Sequence, residues 1–117
     1  MLVPDAEVAY VEERKIMLYL LSDTSVDGAP KAAFFREFGF DKADWSTLAD
    51  ALVRQLQSNE FVRVEETPFG LRYTVDGPIE CPDGRSPWIR TVWQVAEPGS
   101  APRLITAHPL PRRRESA

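Results

Sequence analysis

After Asn59 the apolar residues change their period, and that switch constrains the fold more than any other feature of the chain. Upstream, Trp45, Leu48, Leu52 and Leu56 recur at three- and four-residue spacing, the stripe of an amphipathic helix. Downstream, apolar and polar side chains alternate through "EFVRVEE", "LRYTVDGPIE", "SPWIRTVWQV" and "RLITAHP", as in half-buried strands. A chain that places its helices first and its strands last is expected to fold as an α+β domain.

Two further helices precede the switch. "EERKIMLYLLS" sets Ile16, Tyr19 and Leu20 on one face, and "DTSVDG" ends that pattern. Pro30 suits the first position of a second helix, where its missing N–H would have no partner. That helix turns Phe34, Phe35 and Phe38 inward and stops at Gly39, a natural left-handed C-terminal residue. Asp41, with Asp44 three residues on, caps the third helix. "AEVAYV" at residues 6–11 reads as an extended lead-in or edge strand, and Gly77-Pro78 as a bulge or kink. The expected architecture is three N-terminal helices packed on a four-stranded antiparallel meander. Residues 1–109 form one domain in this reading, and 110–117, with Arg112 to Arg114, form a flexible basic tail.

Charge bears on partners. The 117 residues carry a formal net charge of −4, whereas phosphate-binding domains are usually basic. The imbalance is local, however: residues 1–60 hold 6 basic and 11 acidic side chains, and residues 61–117 hold 8 and 7. Arg63, Arg72, Arg85, Arg90 and Arg103 all fall in the second half, within strand-like sequence. A single cysteine, Cys81, excludes an internal disulfide framework and points to a reducing, cytoplasmic compartment. No apolar run spans a bilayer, and no metal or cofactor motif is present, so no membrane and no cofactor is expected.

Several residues carry chemistry that simple core residues would not. A histidine ring can both take and give a proton, so His108, the one histidine, suits a proton shuttle; it also suits a strand end satisfied by backbone. Lys31 sits in the first turn of its helix, unfavourably placed against the dipole. Phosphate capture would explain it, as would a solvated helix start. Thr91, Trp93 and Thr106 share a sheet face with His108 if the last two strands pair as a simple hairpin. That face would bind a phosphate and stack a base, or it would rim the core.

Taken in order, Lys15, Gly28-Ala29-Pro30-Lys31-Ala32, Phe69-Gly70-Leu71-Arg72-Tyr73, Asp83-Gly84, Thr91-Val92-Trp93 and Pro102 to His108 resemble the motifs of an uncharacterised family of small bacterial domains. Its members occur stand-alone and at the C-termini of polymorphic toxins. The helices-then-meander order is similar to the barnase–EndoU–colicin–RelE-like (BECR) fold. The resemblance implies a toxin-like, metal-independent ribonuclease acting on RNA and controlled by a small antitoxin-like protein. In that reading His108, Lys31 and Thr91 are catalytic, and Arg90, Arg72, Lys15 and Trp93 bind substrate. The family closes its last strand on tyrosine where this chain has His108. The competing reading is a non-catalytic protein-binding module of a bacterial operon complex, which would need neither His108 nor Lys31.

Overall fold

A computed structural model describes residues 1–22 and 29–111. The expected loop over "DTSVDG" and the basic tail from Arg112 lie outside the described residues. Helix α1 joins an α-helical turn, Glu13–Lys15, to a π-helical segment, Ile16–Leu20. The π turn closes where Leu21 N–H donates to Ile16 O at 2.8 Å, five residues back. Helix α2 spans Ala29–Glu37, and α3 spans Trp45–Ser58 behind a short 3₁₀ turn, Lys42–Asp44. Strands β1 (Phe61–Thr67), β2 (Gly70–Pro78), β3 (Trp88–Val95) and β4 (Arg103–Pro109) form a four-stranded antiparallel sheet in chain order. The α+β meander is therefore as the sequence predicts.

Local chemistry sets the boundaries. Gly39 has φ 104°, and Phe40 N–H reaches Phe35 O while Gly39 N–H reaches Arg36 O, a Schellman end to α2. The Asp41 carboxylate accepts Ala43 N–H at 2.8 Å and starts the next turn. Between β1 and β2, Thr67 Oγ1 accepts from Phe69 N–H and donates to Gly70 O, tightening a two-residue turn. Gly70 is required there, because a Cβ would stand 2.2 Å from Val95 O.

The core lies between one face of the sheet and the helices. Ile89, Thr91 and Trp93 of β3 point into it, with Tyr73 and Val75 of β2 and Leu104 and Ala107 of β4. Leu48, Leu52 and Leu56 of α3, Phe35 of α2, and Ile16 and Leu20 of α1 cover that face and are fully buried. Each such side chain contributes about 1.5–3 kcal/mol. Phe34, Phe38 and Trp45 are only half-buried at the margin. Gln55 is a polar residue inside: its Nε2 lies 3.3 Å from both Val75 O and Ile89 O, binding α3 to the sheet.

Three local expectations are corrected. The extended lead-in is instead a 3₁₀ turn, Ala6–Val8, followed by a single parallel bridge from Tyr10 to Arg103. Pro4 and the left-handed Asp5, φ 61°, break the extended run. Gly77-Pro78 is not a bulge, since pairing continues through Gly77↔Ile89 and Pro78↔Trp88. Gly77 instead gives room to Asn59, whose side chain would stand 2.4 Å from a Cβ. Nor is the last hairpin simple, because the register shifts between Val92 and Trp93, and Ile105 is the extra residue of β4.

Candidate functional site

That bulge decides which residues of β3 and β4 meet. Thr106 pairs with Val92 and His108 with Arg90, so both project from the face opposite α3. Thr91 pairs with Ala107 and Trp93 with Leu104, on the core face. Both Thr91 and Trp93 are wholly buried. The Thr91 hydroxyl donates to Gln55 Oε1 at 2.8 Å and accepts Trp93 Nε1–H at 2.7 Å. Thr91 and Trp93 thus join a buried polar chain with α3, away from Thr106 and His108.

Lys31 extends from the first turn of α2, which packs against α1 and β4. Its Nζ donates to Thr106 Oγ1 at 3.0 Å and to the Tyr19 hydroxyl. The ammonium also lies 4.5 Å from the centroid of the Tyr19 ring, and that of Lys15 lies 5.4 Å from it. One phenol therefore gathers two cations, each attracted to the electron-rich ring. Among the described residues neither lysine has a carboxylate partner. Lys15, Tyr19, Lys31 and Thr106 are all half-buried.

The π segment helps to assemble this group. A π turn widens the helix and re-aims the side chains it carries, here Tyr19 between buried Ile16 and Leu20. Sequence reasoning places Tyr19 in the core stripe and gives it no role. Its position four residues after Lys15, neighbours on a helix surface, is the signal that could have found it.

His108 lies two residues beyond Thr106 on the same face of β4. Its Nδ1 is 3.3 Å from Pro109 O. With Nδ1–H donating to that carbonyl, Nε2 is the acceptor of the ring. Opposite it, Arg90 is committed: Nε and Nη2 each meet an Asp76 carboxylate oxygen at 2.8 Å. Donating to the Asp76 carboxylate raises the Arg90 pKa above its usual value, against desolvation. Arg72 sits further along the same face, its Nη2 3.4 Å from Gln94 Oε1. The structure thus joins Lys15 and Lys31 through Tyr19, sets Thr106 on Lys31 with His108 and Arg90 along the same sheet face, and separates Thr91 and Trp93.

Two more features define the surface. A cleft of about 680 Å³ opens at the other end of the sheet, where Asp5, Glu66 and Glu97 surround Leu71 and Tyr73. Among the described residues no group of three or more His, Cys, Asp or Glu could hold a metal ion. No helix among them is long and apolar enough to cross a membrane.

Helices packed on one face of a four-stranded antiparallel meander place the domain in the α+β class. The chain belongs to the family described as Domain of unknown function (DUF6883), whose model matches residues 2–111. Its fold is similar to that of a chain from the contact-dependent growth inhibition toxin–immunity protein complex of Klebsiella pneumoniae 342. The TM-score is 0.69 at 15% identity, covering 93% of this chain and 99% of that one. No curated protein matches the sequence.

Proposed function

We propose that the domain is a toxin-like, metal-independent endoribonuclease of BECR type, restrained by a small protein partner. The observation that carries this reading is the convergence of Lys15 and Lys31 on Tyr19 beside Thr106, in a chain of net charge −4. Half-buried cations with no carboxylate partner among the described residues favour an anionic ligand. Lys31 adds to this, because an anion relieves its unfavourable placement against the α2 dipole.

Phosphodiester chemistry uses such an arrangement. His108 Nε2 takes the proton of the 2′-hydroxyl as that oxygen attacks phosphorus. Lys31 and Lys15 offset the charge that develops on the non-bridging oxygens, and the Thr106 hydroxyl donates to one of them. The bond from phosphorus to the 5′ oxygen breaks, and that oxygen takes a proton from the Tyr19–Lys31 pair. The products are a 2′,3′-cyclic phosphate and a 5′-hydroxyl. Thr106 fills the donor role for which the sequence suggests Thr91. Arg90 adds positive potential beside His108, tempered by Asp76. The small partner follows from the toxin–immunity complex to which the similar chain belongs, and a cytosolic site of action suits the lone thiol.

The chain's acidity favours a second reading. The cleft with Asp5, Glu66 and Glu97 around an apolar floor suits a basic protein surface, and the fold likeness is to a chain of a two-component complex. In that case the domain is a binding module without catalysis. The test is incubation of the purified chain, stripped of copurifying protein, with a fluorescence-quenched RNA oligomer, with and without EDTA. Cleavage that EDTA leaves unchanged, yielding cyclic phosphate ends, is the expected result. Absence of cleavage would transfer the chain to the binding reading.

A further inference from the structure

The sheet face that carries Thr106 and His108 continues into a groove that the catalytic reading does not use. Across the Ile105 bulge, Arg103 pairs with Gln94, two residues along β3 from the Val92 partner of Thr106. That step is about 7 Å, of the order of one nucleotide of extended backbone. There Tyr10, Phe69, Gln94, Ser100 and Arg103 line an open groove of about 540 Å³. Pockets of this size hold small organic rings.

Its construction points to a flat, anionic ligand. Phe69, at the tip of the β1–β2 turn, is 72% exposed, and Tyr10 on the far side is 45% exposed. Neither position is left to chance. Tyr10 is anchored through its own N–H to Pro102 O and through its carbonyl to Leu104 N–H, which sets it beside Arg103. Gln94, buried at the floor, donates to the carbonyls of Phe69 and Leu71 at 3.1 Å and so holds the tip in place. Arg103 is the one charged residue of the lining, and among the described residues it makes no ion pair. Two presented rings and a guanidinium with no ion pair among the described residues line a groove free of carboxylates. Aromatic side chains stack any base, and a cation tracks the backbone that carries it.

We propose that this groove is a base-stacking subsite for the nucleotide next to the cleaved linkage in single-stranded RNA, with Phe69 and Tyr10 as stacking walls and Arg103 on the adjoining phosphate. The proposal rests on the ribonuclease reading for its substrate and is separable from it by experiment. Short oligoribonucleotides carrying 2-aminopurine are titrated against the wild-type chain and against Phe69→Ala, Tyr10→Ala and Arg103→Gln, and their cleavage is followed in parallel. Quenching of the fluorophore by the wild type is expected. Phe69→Ala should weaken binding by about 5- to 150-fold, and Arg103→Gln should lower the salt dependence by about one phosphate.

Cleavage with unchanged affinity in both aromatic variants would overturn the subsite and leave the ribonuclease reading intact. Phe69-dependent quenching without any cleavage would support the subsite and remove the catalytic assignment. Absence of quenching by the wild type would overturn the subsite whether or not RNA is cut. So would a Phe69-dependent self-association in sedimentation velocity with no effect on RNA, which would assign the rings to a protein contact.

Discussion

Lys31 and Thr106, 75 residues apart in sequence, are joined by a hydrogen bond of 3.0 Å. The contact ties the start of α2 to edge strand β4, and the ammonium that makes it also meets the Tyr19 hydroxyl. Two elements of different type thereby share one cation, and the candidate chemistry of the domain is concentrated at that junction.

Thr91 answers to a different test, since its hydroxyl serves the core. Thr91→Val should leave the buried Gln55 Oε1 and Trp93 Nε1–H without this partner. A loss of about 2–4 kcal/mol is expected, seen as a lower urea midpoint at unchanged m-value. Specific activity of the folded fraction should stay within about twofold. A collapse of activity at full stability would place Thr91 in the site.

Arg90 and Asp76 form a two-pronged pair on the outer face, with side-chain exposures of 39% and 14%. Because the arginine is well exposed, solvent screening limits its worth, and Arg90→Gln should cost about 1 kcal/mol. Any loss of RNA cleavage should be smaller than for Lys31, since Asp76 already offsets the arginine's charge. Thermal melts of Arg90→Gln, Asp76→Asn and the double variant measure the pair, and strictly additive losses would show that it contributes nothing.

Cys81 gives a pH-dependent prediction. Burial, and secondarily the Asp83 carboxylate, push its thiol up to about 11 from 9.0, with Arg85 opposing. Its sulfur also lies 3.4 Å from Ile79 O. Alkylation by iodoacetamide at pH 8 should therefore be slow in the folded chain, with a thiolate fraction about 100-fold below that of an ordinary thiol. The rate should rise toward pH 11 and jump when the chain is unfolded. The unfolded thiol releases its proton first, so the stabilising contribution is complete below pH 9 and fades as pH climbs from 9 through 11. Rapid alkylation at pH 8 without denaturant would contradict the burial of this sulfur.

Period alone reveals the elements, because burying a stripe of Leu48, Leu52 and Leu56 or an alternating Ile89, Thr91 and Trp93 leaves few arrangements. The turn chemistry at Gly39 and Asp41 is equally local and equally legible. What period cannot reveal is register. The extra Ile105 in β4 sets Leu104, not Ile105, opposite Trp93 on the core face, and no feature of "RLITAHP" marks that residue as a bulge. Lys15 and Lys31 are visible as candidates, but their meeting at Tyr19 depends on a π turn and on helix packing, both set by tertiary structure. Gln55 is invisible for the same reason, being a polar residue whose partners are backbone carbonyls of two strands.

The central claim is that the Lys31 ammonium serves phosphoryl chemistry, and the most direct measurement is RNA cleavage by Lys31→Met, which keeps the stem and removes the charge. Cleavage of a quenched RNA oligomer at low salt, followed beside a thermal melt, should fall by about 10²–10³-fold while the melting temperature stays within a few degrees of wild type. His108→Ala should show a comparable loss, and EDTA should change neither protein. Wild-type cleavage that persists in Lys31→Met at full rate would contradict the claim and place the site elsewhere on the sheet.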